Sequence, residues 1–583
     1  MSRQKKTKAS TAAKKKRLTW RQRVILLSFG LALLAIAEIV VRVAGLAPSY
    51  RAKDPLLEGG EQDRAYAQGA LPSGEAAWLS VVTRPEFPYN FQPIPVEKPA
   101  NETRIFVFGG SSAVGYPYDG RLAFSSFLQA GLSALWPDRI FRVINVAQNN
   151  IAAGRCLVLM QEMADYRPDI FLVYSGNNEY DNDHVYRHVL RRRGLTGRVQ
   201  SVMGHLALYR GVERLILPAK VRLYESFELT DDAVTLPAYT PQERRAIADN
   251  YAYVIDRMAD LCAGKGIRLA LCTVAANAAD WPPYRSTFAK TLTAGERKAF
   301  LDAMAGAIRA LGQGGYALAL ETLDNLSTVD AGRADMHFLR GVALAGLARH
   351  AEAEAAFDAA MDLDNVCYRA RPSQNRVLFD VAAGTPAVGI DTREFLKEHA
   401  EHRLLGEQFF WDHCHPRPEA HALLALKMAR EMFAAGQLPP PPADWEERFT
   451  AAVEEWRARA PLSDAFHARA LRNTASGWMG LWTSHHEPDD LLRNDRRYLD
   501  RAMDYLDRAI AIDPACPGAH FYRGVIHAQF GEIEKANDDW RREEEIGSPD
   551  GPMENILAGL LEGSIDPQRG FQNWLFIRNE MAR

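Results

Sequence analysis

The 583-residue chain has only six cysteines, at 156, 262, 272, 367, 414 and 516, and no Cys-x-x-Cys pair or metal-ligand spacing among them. No cysteine metal site or dithiol redox motif is therefore written in the sequence, and no metal or other cofactor is expected. An exported chain would permit disulfides, but the spacings assign none. Acidic residues are absent before residue 24, where ten Lys and Arg are concentrated. The rest of the chain holds 60 basic against 73 acidic residues, a net charge of −13. A body of that sign is a poor general binder of nucleic acid. Periodic apolar runs are scarce over 47–100, a stretch rich in Pro, Gly and Ala that reads as a stalk and lead-in.

What is present is globular in composition, 47% hydrophobic and 25% charged. The chain is too long for one core, so two or three domains are expected. After the basic tail (1–23), residues 24–46 are apolar apart from Glu38 and Arg42. As a helix this run would span about 35 Å, enough for a hydrocarbon core of roughly 30 Å. Glu38 and Arg42 are four apart, so they share a helix face and can pair near its outer end. Lys and Arg stay on the cytoplasmic side. The expectation is a single-pass anchor in the inner (cytoplasmic) membrane, N-terminus inside, with everything after about residue 47 outside. Ala35-Ile36-Ala37 has the small-x-small look of a signal cleavage site, which leaves a cleaved leader as the rival reading.

Downstream, strands are expected at 104–108, 141–146, 170–174 and 267–273, with helices at 124–136, 156–166, 247–264 and 419–433. This alternation argues for an α/β domain over 101–436, a parallel sheet with helices on both faces. An Arg-rich excursion, 184–245, includes Arg191-Arg192-Arg193 and reads as a solvated surface run, with an anionic headgroup contact as the alternative. Residues 437–443, with Pro439 to Pro442 in succession, form a stiff extended linker and the best candidate domain boundary.

Two regions carry a helical-hairpin signal with a 34-residue period. One is an insert at about 298–366, where Gly341, Ala353, Phe357 and Ala360 fall at small and bulky positions, preceded by a weaker copy with Gly314, Ala319 and Leu323. The other lies in the helical C-terminal domain, 444–583, where Ala502, Leu506, Ala509 and Pro514 end one unit and Gly524, Gly531, Ala536 and Trp540 continue the phase. Small residues let helices approach and bulky ones fill the groove between them. These regions resemble tetratricopeptide repeats, although His337 and His520 stand where an aromatic is usual. Plain α-hairpins without that ancestry are the alternative. Repeats of this kind imply a protein partner.

The chemistry gathers at four places. Gly109-Gly110-Ser111-Ser112-Ala113-Val114-Gly115 follows an apolar strand, and Asn145 to Asn150 follows another. Tyr174-Ser175-Gly176-Asn177-Asn178-Glu179 follows a third, and Asp412-His413-Cys414-His415-Pro416 precedes a helix. A serine hydroxyl needs a nearby imidazole to react, and the imidazole needs an anion to fix its tautomer. Read in order, these segments resemble the four blocks of the SGNH/GDSL hydrolase family. The spacing to Gly115 makes Ser111, not Ser112, the match for the nucleophile. The resemblance implies a Ser111, His415 and Asp412 triad, with an oxyanion hole from the Ser111 N–H, the Asn178 side chain and the backbone of Asn150. It also implies a flavodoxin-like three-layer α/β/α fold and ester chemistry without a cofactor.

Gly110 and Glu179 stand where the family has aspartate, and Asn150 where it has glycine. These departures bear on loop geometry, substrate and rate. His413 is the alternative base, metal binding by 412–415 or a simple helix cap the alternative roles, and Cys414 reads as a small packing residue. The function expected is a membrane-anchored extracytoplasmic esterase acting through an acyl-enzyme. The alternatives are an O-acyltransferase or deacetylase acting on an acylated, exported polysaccharide, and an interaction module on an inactive hydrolase fold.

Overall fold

The computed structural model describes residues 19–44, 65–81, 90–180, 239–460, 462–484 and 496–547, with short pieces at 203, 206–209, 491–492 and 560. Chain contacts divide it into two compact units, one of residues 1–53 and 193–228 and one of 54–192 and 229–583.

In the first unit α1, Trp20–Val43, opens with a Thr19 capping box that Gln22 completes. It is long and apolar enough to cross a membrane or to serve as a signal segment. Glu38 accepts from Arg42 Nη2 at 2.6 Å, the pairing expected of residues four apart. The same carboxylate also accepts from the backbone N–H groups of Ala207 and Leu208, at 2.8 and 2.7 Å. Of the Arg-rich excursion, Arg191-Arg192-Arg193 lies outside the described residues.

The second unit begins with β1, Tyr66–Ala70, β2, Ala76–Ser80, and β3, Ile94–Pro95, which form an antiparallel sheet in the order β1-β2-β3. Residues read from sequence as a stalk thus include paired strands. They are held by Glu162, a buried carboxylate that accepts from the N–H groups of Ala65 and Tyr66 and from the Tyr166 hydroxyl.

There follow β4, Glu102–Gly109; α2, Ser111–Val114; α3, Phe124–Leu135; β5, Ile140–Asn145; α4, Ala153–Met163; and β6, Ile170–Tyr174. Beyond the excursion come α5, Pro241–Lys265, and β7, Arg268–Cys272. A helical insert contains α6, Ala294–Gly312; α7, Tyr316–Val329; α8, Ala334–Gly346; and α9, His350–Leu363. Then come α10, Pro372–Gly384; β8, Val388–Ile390; α11, Thr392–His399; and α12, Pro418–Ala434. The C-terminal helices are α13, Trp445–Arg459; α14, Asp464–Ser484; α15, Arg496–Ile512; α16, Ala519–Gln529; and α17, Ile533–Ile546.

Strands β4 to β8 form one parallel sheet in the order β5-β4-β6-β7-β8. Counted within the sheet this is 2-1-3-4-5, the flavodoxin-like order of doubly wound proteins. Alternate residues of each strand enter opposite cores. Ile105, Val107, Ile170 and Leu172 pack with α3 and α12. Phe106, Phe108, Phe171 and Val173 pack with α4 and α5. The expected parallel sheet with helices on both faces is what the structure contains. Both faces are covered, which is why the strands read as unbroken apolar runs.

The Pro-rich run does not separate two compact units. Gln437 is buried and donates through Nε2 to Leu269 O at 2.9 Å. Beyond the run, Phe449 fills the space over Gly131 of α3, where a Cβ would lie 2.2 Å from the ring. Trp456 donates to Arg121 O at 2.8 Å. Trp478, Tyr505 and Phe521 belong to the same apolar cluster as Ile105 and Leu172. Four prolines make the segment stiff, but stiffness does not keep it off the core.

Both expected helical regions are hairpins, α6–α7 and α8–α9 in the insert and α14–α15 and α16–α17 near the C-terminus. The small and bulky positions meet: a Cβ on Gly341 would lie 2.6 Å from Phe357, and one on Gly524 2.4 Å from Trp540.

Replacing Glu162 by alanine strands the two buried backbone N–H groups of Ala65 and Tyr66 and removes an acceptor from the Tyr166 hydroxyl. The expected loss is roughly 2–4 kcal/mol of stability, read as a lower denaturation midpoint, with Glu162→Gln less affected.

Candidate active site

The carboxyl ends of β4 and β6 flank the point where strand order reverses, the place where open α/β sheets form crevices. β4 runs out at Gly109, and Gly110 keeps extended backbone with φ −82° and ψ −160°. The chain then turns into the single-turn helix α2 and leaves it at Gly115, whose φ of +101° favours glycine. Ser111 is the first residue of that turn, 7% exposed.

The second half of the site is a tight turn. Phe410 and Pro416 form a β-bridge, and Trp411 N–H donates to His415 O at 2.9 Å. Asp412 Oδ1 accepts from the backbone N–H groups of Cys414 and His415, both at 3.0 Å. Its Oδ2 lies 2.6 Å from His415 Nδ1, and His415 Nε2 lies 2.7 Å from Ser111 Oγ. In the neutral imidazole, with Nδ1–H donated to the carboxylate, Nε2 presents its lone pair to the serine hydroxyl. The structure thus brings Ser111, His415 and Asp412 into one hydrogen-bonded row.

Burial alone would depress the His415 imidazole. The adjoining Asp412 carboxylate outweighs it and holds the imidazole well above its ordinary range. Burial likewise opposes ionisation of Asp412, but the two neighbouring imidazoles and the N–H donors hold it below the usual carboxylate range.

Asn178 sits beside the turn that carries Ser111. Its Nδ2 donates to Ile151 O at 3.0 Å, and a Cβ on Gly110 would lie 2.4 Å from that nitrogen. An amide nitrogen carries two N–H groups, so one bond does not exhaust it. Asn150 adopts φ +55°, a left-handed conformation that asparagine tolerates better than most residues. It directly precedes Ile151, so the Asn150 turn and Asn178 are joined. Glu179 is buried and accepts from the N–H of Ala153, the first residue of α4, at 2.9 Å. Burial pushes its carboxyl up to about 7.

Sequence reasoning missed several residues around this row. The Ser112 hydroxyl donates to Cys414 O at 2.9 Å and accepts from Asn177 Nδ2 at 2.8 Å. Asn177 Oδ1 in turn accepts from Ala370 N–H at 2.8 Å. Three loops are thereby tied to the Ser111 turn. The only signal was the doubled serine. The Tyr116 ring lies 4.5 Å from that of His415. His413 contacts the rings of Trp281, Tyr284 and Tyr368 at 5.5, 5.9 and 6.2 Å. The imidazole bonded to Ser111 is that of His415.

The ligand atoms of Asp412, His413, Cys414 and His415 lie within 4.8 Å of one another. A metal held by all four would take His415 away from Ser111. Cys414 is buried among apolar side chains of the insert.

No protein-family model matches the chain, and no curated protein matches it. Among solved structures, two variants of Axe2, an acetylxylan or acetyl-xylooligosaccharide esterase of Geobacillus stearothermophilus, align over 58% of this chain and 95% of theirs. Each has a TM-score of 0.27 and 10% identity. LAE5, an alpha/beta hydrolase enzyme from the metagenome of Lake Arreo, Spain, aligns over 59% of this chain and 99% of its own, with a TM-score of 0.26 and 12% identity. Likeness at that level carries no argument, and the chemistry rests on the site itself.

The ties across the site give two expectations. Ser112→Ala leaves Asn177 Nδ2 and Cys414 O without their shared partner. It should slow reaction of Ser111 by about 10-fold or more, an effect the size of one lost positioning bond, measured as the rate of covalent labelling. Glu179 binds its proton more tightly folded than unfolded, so its contribution to stability falls as pH rises from the ordinary carboxyl range through about 7. Glu179→Gln should therefore gain on the order of 1–3 kcal/mol relative to the parent at pH 8. That gain should vanish at pH 4, read from melting temperatures at both values.

Proposed function

We propose that the chain is an ester hydrolase of the SGNH type. The observation that carries this reading is the row Ser111 Oγ, His415 Nε2, His415 Nδ1, Asp412 Oδ2, with contacts of 2.7 and 2.6 Å at the carboxyl edge of a parallel sheet. His415 takes the proton of Ser111 as the oxygen attacks the ester carbonyl, and returns it to the departing alcohol. Asp412 holds the tautomer that makes this possible and stabilises the imidazolium. The second amide N–H of Asn178, with the backbone N–H groups of Ser111 and Asn150, receives the developing oxyanion. One such donor is commonly worth about 2.7–4 kcal/mol of barrier. Water, activated by the same imidazole, releases the acid from Ser111.

The length and apolar character of α1, with ten cations and no acid before residue 24, support a site anchored on the extracytoplasmic side. The same observation favours one variant. A hydroxyl of an exported glycan in place of water would make the same acyl-enzyme an O-acyltransferase. The helical hairpins of the insert and of the C-terminal region are suited to holding a protein partner.

The test is covalent labelling of the full chain, in detergent, by a fluorophosphonate. The parent should label at Ser111, and Ser111→Ala should not label. His415→Ala and Asp412→Asn should each slow labelling by at least roughly 10³-fold. An unlabelled parent, or a Ser111→Ala variant that labels as fast as the parent, overturns the reading.

A further inference from the structure

The turn that carries Asp412 and His415 is covered by residues far along the chain. Asp412 is only 2% exposed, although it lies on a loop. Part of its cover is the helix α14, beyond the Pro-rich run. A Cβ built on Gly477 would lie 3.6 Å from Asp412 Cβ and 3.6 Å from Asp412 Oδ2. That oxygen is the one bonded to His415 Nδ1. The next residue, Trp478, packs its ring 4.3 Å from Trp281, and Trp281 lies 5.5 Å from His413. One turn of α14 therefore touches both the carboxylate and the aromatic wall beside it.

We propose that Gly477 is a positioning residue for the Asp412 carboxylate, which makes the C-terminal helices part of the reacting unit. The inference rests on the proposed role of Asp412 and goes beyond it, because it assigns a task to a region otherwise read as a partner-binding module. Glycine inside a helix is locally unfavourable. Here the missing side chain leaves the helix backbone close to the carboxylate and excludes water from one side of it. A methyl group fits at 3.6 Å, an ordinary van der Waals distance. A longer side chain leaving the same atom enters the space of Asp412 and turns the carboxylate away from the imidazole. Exclusion of water also strengthens the remaining charge-assisted bond.

The experiment uses the full chain in detergent and compares Gly477→Leu with Gly477→Ala and with Gly480→Leu. A Cβ on Gly480 meets nothing within 4 Å, so the last variant controls for a leucine on the same helix. Gly477→Leu should slow fluorophosphonate labelling of Ser111 by about 100-fold, the scale of a misplacement near 1 Å. Gly477→Ala should retain most of the rate, and Gly480→Leu should match the parent. In the Asp412→Asn background, Gly477→Leu should cost less than about threefold more, because both changes act through one carboxylate.

Losses that multiply would show that Gly477 acts elsewhere, and parental labelling by Gly477→Leu would show that it positions nothing. Either result overturns the proposal. A second readout is independent of whether Ser111 reacts. The N–H that His415 donates to Asp412 should give a far-downfield proton resonance in the parent and Gly477→Ala, lost in Gly477→Leu. Persistence of that resonance in Gly477→Leu overturns the positioning role even if the parent proves unreactive. An unlabelled parent whose resonance is lost in Gly477→Leu upholds the positioning role while rejecting the hydrolase reading.

Discussion

The bond between Ser111 Oγ and His415 Nε2 joins residues 304 positions apart, and every chemical property of the site depends on holding it at 2.7 Å. The Asp412 to His415 half of the row is local. A three-residue offset in a tight turn closes it, with two backbone N–H groups fixing the carboxylate. The serine half is not local. Its geometry requires β4 and β6 to lie side by side, the nucleophile turn to leave β4 at the right angle, and the turn ahead of α12 to meet it. The Ser112 bridge to Cys414 O and Asn177 forms a second link between the same two turns, one residue along. Two hydrogen bonds between adjacent positions resist sliding and rotation far better than one.

Three positions where the chain departs from the motif it resembles find physical compensation nearby. Gly110 leaves room for Asn178 Nδ2, which a Cβ would approach to 2.4 Å. The residue at 150 must adopt positive φ, and asparagine is among the few side chains that do so at modest cost. Glu179 has one more methylene than aspartate and reaches the first N–H of α4, where a helix N-terminus favours a carboxylate. Its burial nonetheless leaves it easily protonated.

Much of this was legible from residues alone, for identifiable reasons. β4, β5 and β6 are covered on both faces, so each reads as an apolar run bounded by polar or small residues. The Asp412–His415 pairing was legible because their relation is short-range, whereas the choice of Ser111 came from the motif resemblance, through its spacing to Gly115. What was not legible depends on distant partners. β1 is anchored by Glu162, nearly a hundred residues away, and β3 is only two residues long. The Pro-rich run looked like a boundary because proline sets stiffness. Whether such a run lies on a core depends on its neighbours, here Leu269 and the helices that pack on α3. The aromatic wall is drawn from Trp281 and Tyr284 before the insert and Tyr368 after it, so no single window of sequence contains it.

The two helical regions both pack against the turn that carries Asp412 and His415. Cys414 packs into the core of the insert, while Trp411 joins the cluster that contains Trp478 and Tyr505. A carboxylate on an exposed turn would keep its hydration shell and compete poorly for an imidazole. Enclosed on both sides, Asp412 has His415, His413 and backbone N–H groups as its near partners, and the low local dielectric makes each of them count for more. The enclosure has a cost, since a buried carboxylate is tolerable only while those partners stay in place. The helical regions therefore both strengthen the row and make it sensitive to disturbance well outside the sheet. A sheet unit stripped of them would retain the three side chains but not the environment in which they interact.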